Sequence, residues 1–502
     1  QPSGARSTFI VECRQETWKK AGLDTMSEAE SVAFLQKLFE PELEGHALCP
    51  NKSIWRTFPT ISCERWRRGN LVLLGDAVHT AHFSIGSGTK LAMEDAIALH
   101  QALVKNGLDV EKSLEAYEHE RKPETIRVQR AAQTSLEWFE HAARYVEQPP
   151  EQFTFNLMTR SKRITWDNLR TRDPKLVEAA DQVFAGRHGT PLNKDGSAPP
   201  PLFAPLKLRS MTLENRVVVS PMCQYSAVDG VPTDWHLVHL GSRAMGGAGL
   251  VITEMTDVSP EGRISYGCAG LWNEAQQHAW KRIVDFVKAN SQARIGVQLA
   301  HAGRKASWQL PWEGDQPLTA EQGAWQALAP SALPFKPGAH TPKEMDATDL
   351  ARVKQAFVDA TKRADAAGFD FIELHGAHGY LLSEFLSPLT NRRTDAYGGS
   401  LENRMRWPLE VFEAVRAAWP SHKPLGIRVS ATDWLPMGQR VEDTVEFARR
   451  LKALGCDVID VSTAGNVPDS KVEYGRMYQV PFAEAVRVGA DLPVMAVGAI
   501  LG

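Results

Sequence analysis

The sequence predicts an α/β chain in which a C-terminal (β/α)8 barrel, lacking its last strand, follows part of a second α/β domain. Three observations predict it. From about Leu202 onward, short β-branched runs alternate with amphipathic helical stretches, the pattern of repeated βα units and a parallel sheet. A Gly- and Pro-dense stretch without apolar periodicity, 186–201, separates that region from what precedes it. The 502 residues also exceed what one hydrophobic core usually organises. The expected division is 1–185, a linker at 186–201 and the barrel at 202–502.

The barrel strands are expected at Arg216–Ser220, Leu250–Glu254, Ile295–Leu299, Phe371–Leu374, Gly426–Val429, Val458–Val461 and Val494–Val497. Between them, Leu350, Val353, Phe357, Ala360 and Ala364 share one face of a helix over 350–368, and that face would cover the sheet. An eighth strand is needed to close such a barrel. The runs present leave the first and last strands with free edges, which favours aggregation. The chain opens on Gln1 and stops at Gly502, so it is expected to be a fragment, and poorly soluble by itself. Upstream, a strand Leu71–Leu74 is expected to lead into Gly75-Asp76-Ala77 and a Gly-containing loop over 84–88. Helices over 89–104 and 110–145 follow.

A net charge of -3 with 43% hydrophobic and 23% charged residues suggests neither a nucleic-acid-binding surface nor an acidic disordered tail. A small-molecule substrate is the expected partner. The 6 cysteines are scattered with no C-x-x-C pair, against a disulfide framework or a zinc site and in favour of a cytoplasmic protein. Apolar runs such as Gly249–Met255 are too short for a bilayer, and no signal peptide stands at the start.

In a barrel the working residues sit at the C-terminal ends of strands. Those ends carry Ser220-Pro221-Met222-Cys223-Gln224-Tyr225, Gln298 to His301, His375-Gly-Ala-His378 and Arg428. Such residues suit a flavin: Gln298 pairs with its donor and acceptor edge, and Arg428 offsets charge that accumulates on reduction. Two imidazoles at His375 and His378 suit the grip of one carbonyl oxygen, which makes an enone a hydride acceptor. A metal site is the rival use of paired histidines, but no carboxylate accompanies them in H-E-x-x-H form. His236 and His239 also read as hydrogen-bonded structure, and Cys223 alone reads equally as a buried apolar residue.

The strings Ser220 to Tyr225, WHLVHL at 235–240, QLAHAGRK at 298–305, HGAHGYLLSEFLSP at 375–388 and NRRTDAYGGSLENR at 391–404 resemble the FMN-dependent Old Yellow Enzyme family of TIM barrels. Cys223 resembles the cysteine that one branch of that family carries beside its flavin. The resemblance implies FMN held by Pro221, Met222, Cys223, Gln298 and Arg428, with His375 and His378 on the substrate carbonyl. Tyr380 and Tyr225 line the same pocket, Tyr380 as a proton donor. Met255 stands where the family often has a small residue, and Gly498 begins the phosphate site.

Upstream, LVLLGDAVHTAHFSIGSGTKLAMEDAIAL resembles the second FAD-contacting motif of flavoprotein aromatic hydroxylases, with Gly75, Asp76, Gly86 and Gly88 matching. By spacing alone the Gly-Asp turn reads equally as a helix cap. The loop departs from that family's usual proline and G-x-N, and the dinucleotide fingerprint G-x-G-x-x-G is absent from the chain. The order of the parts resembles fused proteins of the salicylyl-CoA 5-hydroxylase and 2-aminobenzoyl-CoA monooxygenase/reductase type. That implies FAD-dependent hydroxylation of an aromatic acyl-CoA coupled to FMN- and NAD(P)H-dependent reduction in the barrel, within a homo-oligomer. A barrel acting alone as an enone reductase is the alternative.

Overall fold

The computed structural model describes residues 7–500, and the chain divides into two units, Gln1–Val183 and Phe184–Gly502. In the second unit seven strands form one sheet in the order β7-β6-β5-β4-β3-β2-β1. They are β1 (Val218–Val219), β2 (Leu250–Asp257), β3 (Arg294–Ala300), β4 (Phe371–Gly376), β5 (Leu425–Ser430), β6 (Val458–Ser462) and β7 (Val494–Ala496). Every neighbouring pair is parallel. All residues of β2, β4, β5 and β6 are buried, as expected of a sheet covered on both faces. The α/β barrel expected from the sequence is present, with β1 and β7 at its edges.

The first strand is shorter than the run Arg216–Ser220. The Arg216 amide donates to the Leu202 carbonyl at 2.8 Å instead of to a strand, and Pro221 has no amide to extend the ladder. A hairpin of Leu206–Leu208 and Met211–Leu213 closes the N-terminal end of the barrel. Its Leu208, Met211 and Leu213 pack against Leu250, Ile252, Phe371 and Val458, residues near the starts of three strands.

The helix Ala347–Ala367 follows the expected pattern. Asp346 accepts from the amides of Thr348 and Asp349 at its start, and Gly368, at φ +89°, ends it in a left-handed conformation that favours glycine. Leu350, Val353, Phe357, Ala360 and Ala364 are all buried on its inner face. Between β2 and β3 the register shifts: Ile252 pairs with Gly296, whereas Met255 pairs with Gln298. One extra residue in β2 makes a bulge, which changes which side chains face the barrel interior.

In the first unit the two longest helices are Gly88–Lys105 and Val110–Glu140. The second ends before Tyr145, after which Ala142–Arg144 forms a 3-10 turn. The strand expected at Leu71–Leu74 is reduced to Leu71–Val72, paired with Arg67–Arg68. The Leu73 amide reaches back to Trp66, and at Gly75, at φ +57°, the chain turns away. Trp66, Val78, Ala98, Ala102 and Tyr117 form the core of this unit. No helix among the described residues is long and apolar enough to cross a membrane.

Phe357 is fully buried in the main barrel core. Phe357→Ala is expected to cost about 3–5 kcal/mol, read from the shift in a urea unfolding midpoint.

Candidate functional site

The C-terminal ends of the strands bring the expected barrel residues to one mouth. Inside it, Glu373 of β4 lies in register with Gln298 of β3, and Gln298 Nε2 donates to Glu373 Oε1 at 2.8 Å. Arg428 of β5 lies between His375 and Asp460 in the register, its Nε 3.2 Å from Asp460 Oδ2. That approach is off the N–H axis, so Arg428 Nε has no hydrogen-bond partner, nor do Glu373 Oε2 and Asp460 Oδ1. Burial, with Asp460 adding, pushes Glu373 up to about 8 against the pull of Arg428. Burial also raises Asp460. One cation therefore serves two carboxyls, and a proton is retained between them near neutral pH. A flavin's flat edge of alternating donors and acceptors fits this set, since the Gln298 amide oxygen and the Arg428 guanidinium keep unfilled hydrogen-bonding capacity.

The His375 and His378 rings lie edge to face with centroids 5.1 Å apart, and Tyr380 stands 4.8 Å from His375. The Ala377 amide donates to His375 Nδ1 at 3.3 Å, so the neutral ring carries its proton on Nε2. His378 Nε2 lies 2.8 Å from Ser462 Oγ, which donates in turn to Gln479 Oε1 at 3.2 Å. Gln479 Nε2 donates to the Val497 carbonyl at 3.2 Å, tying this chain of bonds to the end of β7 beside Gly498. The proton on His378 Nε2 is thus committed to Ser462, and the free N–H of the pair is on His375. Burial lowers both histidines well below the usual imidazole range, so both are neutral.

The turn that carries them depends on glycine. Gly379 has φ +69°, and a Cβ there would lie 2.1 Å from the Gly465 carbonyl oxygen. Lys305 Nζ donates to the His378 carbonyl at 2.7 Å and lies 5.5 Å from the centre of the Tyr380 ring. Burial pulls Lys305 down to about 7, with Glu384 opposing.

Pro221, Cys223 and Tyr225 are half-buried on the loop after β1, where Met222 is exposed, and Tyr225 adopts φ +50°. Burial pushes the Cys223 thiol and the Tyr225 and Tyr380 hydroxyls far up, so all three keep their protons. Met255 is buried in a cluster with Cys268, Trp308 and Ala300, with Cys223, Tyr225 and Tyr380 packed against it. What holds this loop comes from residues distant in sequence. Glu254 Oε2 accepts from the Gln224 amide at 2.9 Å, and Glu254 Oε1 lies 2.8 Å from His236 Nε2. His236 Nδ1 accepts from the Thr233 amide at 2.9 Å, and the approach of Nε2 to Glu254 Oε1 is off the N–H axis and makes no hydrogen bond. The His236 of the WHLVHL string thus stands behind Glu254, whose other oxygen holds the Cys223–Tyr225 loop at the Gln224 amide.

In the first unit, Gly75 is buried in a 3-10 turn and Asp76 is exposed. Gly86 has φ +62°, and Gly88 begins the helix Gly88–Lys105. The turn is held by a residue that the sequence did not single out. Asp95 accepts from the Gly75 amide at 3.1 Å, from Arg121 Nε at 3.0 Å, and pairs with His79 Nε2 at 2.6 Å. Burial raises the Asp95 carboxyl, but these hydrogen bonds outweigh it and hold the group below the usual carboxylate range.

With that geometry in view, the model of the NADH:flavin oxidoreductase / NADH oxidase family matches residues 201–501. The chain belongs to this family. Residues 2–132 match a second model, described as an FAD binding domain. An NADPH dehydrogenase of Geobacillus thermodenitrificans is 46% identical over 301 residues, 60% of this chain and 83% of the relative. An NADH:flavin oxidoreductase of Gibberella zeae is 44% identical over 317 residues, 60% of this chain and 76% of the relative. Among solved structures, morphinone reductase in complex with tetrahydroNAD is 32% identical at a TM-score of 0.50, covering 60% of this chain and 81% of that one. A 2-naphthoyl-CoA reductase complex with 2-naphthoyl-CoA is 25% identical at a TM-score of 0.52, covering 59% of this chain and 46% of that one. This flavin oxidoreductase is a flavin-dependent enzyme; FMN, FAD and NAD(P)H are the cofactors that its two domain matches and its NADPH dehydrogenase relatives imply.

Replacing Glu254 by Leu leaves the Gln224 amide without its partner, at about 1–3 kcal/mol. Alkylation of Cys223 by iodoacetamide, followed by mass spectrometry, is expected to quicken about tenfold as the loop opens more often. Unchanged alkylation would mean that Glu254 does not hold the loop.

Proposed function

We propose that this enzyme couples FAD-dependent hydroxylation of an aromatic acyl-CoA, of the 2-aminobenzoyl-CoA or salicylyl-CoA type, to reduction of the dearomatised product in the barrel. The observation that carries the proposal is the presence in one chain of an FAD binding domain match and an FMN-family barrel. A solved neighbour of that barrel is a reductase complexed with an aromatic acyl-CoA. When bound, FMN at the Gln298 and Arg428 edge supplies a hydride, and FAD in the first unit supplies oxygen transfer to an electron-rich ring.

The chain's own residues then have separate tasks. His375 donates its Nε2 proton to the substrate oxygen as a hydrogen bond, which draws electrons from the adjacent double bond. His378 packs beside it, oriented by Ser462 and Gln479. Tyr380, protonated throughout the working pH range, delivers the proton that completes the reduction, and Tyr225 lines the opposite wall. Pro221, Met222 and Cys223 hold the flavin face, and Gly498 begins the phosphate site. Gly75, Asp76, Gly86 and Gly88 serve the FAD.

The second reading is an NAD(P)H-dependent enone reductase whose first unit takes no part in catalysis. The NADPH dehydrogenase relatives, which match 301 residues and 60% of the chain, favour it. Flavin analysis separates the two. FAD and FMN in equal amounts, with NAD(P)H oxidation stimulated by 2-aminobenzoyl-CoA or salicylyl-CoA, supports the first. FMN alone, with cyclohex-2-enone turnover and no response to either thioester, supports the second.

Lys305 gives a pH signature. Below about 7 its ammonium lies on the Tyr380 ring and stabilises the tyrosinate left after proton delivery; above it the amine is neutral. The rate of barrel reduction is therefore expected to fall as pH rises through about 7. Lys305→Met should lower the rate at acid pH by about tenfold and abolish that limb, as read from a kcat/KM profile.

A further inference from the structure

The bulge in β2 has placed one carboxyl where simple alternation would not. Leu250 and Ile252 face the barrel interior with Phe371 and Val458. Strict alternation would continue that face through Glu254 and Thr256. Past the bulge, however, Met255 pairs with Gln298 and Asp257 with Ala300, so Met255 and Asp257 share the interior face. Met255 and Ala300 belong to the apolar cluster against which Cys223, Tyr225 and Tyr380 pack. Asp257 therefore faces the interior beside the cluster against which Cys223, Tyr225 and Tyr380 pack.

Asp257 is completely buried, and neither of its carboxyl oxygens has a hydrogen-bond partner. The hydroxyls of Ser259 and Ser265, on the segment that follows, are likewise buried and unpartnered. An unfilled buried carboxyl is costly unless something hydrogen-bonds to it. The side chains of that cluster are apolar or aromatic: Met255, Cys268, Trp308 and Phe335 with the two tyrosines. Side chains of this kind accept the faces of a flat ring, and His375, against Tyr380, and Asp257, in register with Ala300, are polar groups beside them.

We infer that Asp257 is a second recognition point of the barrel pocket, binding an amino or hydroxyl substituent on the ring whose oxygen is held at His375. The inference rests on the reading of the barrel as a reductase of cyclic enone-like substrates, and it narrows that class to rings with a polar substituent. Burial pushes the Asp257 carboxyl well above the ordinary range, with Arg263 opposing and Glu254 and Glu261 adding. The neutral acid both donates and accepts, matching a hydroxyl or an amine and avoiding the burial of a bare charge.

The test compares 4- and 5-hydroxycyclohex-2-enone with their methyl counterparts, which fill similar volume without a hydrogen bond. The flavin-loaded wild type, Asp257→Asn and Asp257→Val are measured by steady-state reduction and by calorimetric binding to the oxidised enzyme. In wild type at least one hydroxy probe should bind about tenfold more tightly than its methyl counterpart, the worth of one buried hydrogen bond. Asp257→Val should erase that preference while changing methyl-probe binding less than about twofold, and Asp257→Asn should keep most of it. Equal affinities for hydroxy and methyl probes in wild type, or equal losses for both in Asp257→Val, would overturn the inference and leave Asp257 with a structural or water-binding role. Failure of the wild type to reduce any of the probes would instead sink the reductase reading. Thermal unfolding of the two variants distinguishes a lost contact from a lost fold, since Asp257→Asn retains the side-chain shape.

Discussion

A parallel barrel buries its strands on both faces, and everything polar inside it has to be paired there or opened at the mouth. Arg428 is where this constraint acts most strongly. It faces two carboxyls, Asp460 beside it and Glu373 one strand away, and the lower layers of the barrel offer only apolar neighbours. The group is kept by excess acid, one of whose protons is retained, and by an outlet for its guanidinium at the strand ends. Removing Arg428 would leave two carboxyls in a buried layer, and removing either carboxyl would leave the guanidinium underpaired; breaking such a set from one side is strongly destabilising. Gln298 and His375 occupy the adjoining register positions. The edge proposed for the flavin and the imidazole proposed for the substrate are therefore both built on this one balance of charge.

A second layer of control lies outside the strands. The loop after β1 has little regular structure of its own, and Tyr225 within it holds a positive φ. Its position comes from Glu254, which faces away from the interior to meet His236 on the helix Asp234–Met245. The bulge makes this arrangement available: it turns Glu254 outward toward the helix and Asp257 inward toward the pocket. A single inserted residue thus serves both the support of the loop and the composition of the pocket.

The parts of this architecture that were legible in the sequence are those whose signal is local. Val251, Ile295 and Ile427 lie in β-rich runs, and the face from Leu350 to Ala364 repeats at helical spacing, so strands and covering helices could be read directly. His375, Gln298 and Arg428 were readable as site candidates because they stand at the ends of such runs. The run Leu71–Leu74 reads as a full strand because apolarity alone does not reveal that its ladder partner is the short Arg67–Arg68 segment, with the Leu73 amide on Trp66 closing the pairing before the turn at Gly75. Glu254, Asp257 and Asp95 were invisible for a different reason. Each works through partners distant in sequence, and for Asp257 the face it occupies depends on a register shift that only the pairing with β3 reveals. Ser462 was hidden in the same way, since its bond to His378 crosses 84 positions of sequence.

The protonation states tie these pieces together. Burial holds His375 and His378 neutral, keeps Cys223, Tyr225 and Tyr380 protonated, and raises Glu373 and Glu384 to about 8. The pocket around the reacting ring is therefore rich in hydrogen-bond donors and poor in net charge. In a medium of low dielectric, neutral donors stabilise charge as it develops without binding an anion strongly beforehand, which favours the transition state over the ground state. Arg428 stands between Glu373 and Asp460 at the edge proposed for the flavin, and Lys305 lies 5.5 Å from the centre of the Tyr380 ring. Each cation is buried beside carboxyls that oppose its desolvation, Glu373 and Asp460 for Arg428 and Glu384 for Lys305, so the same economy of buried charge fixes both.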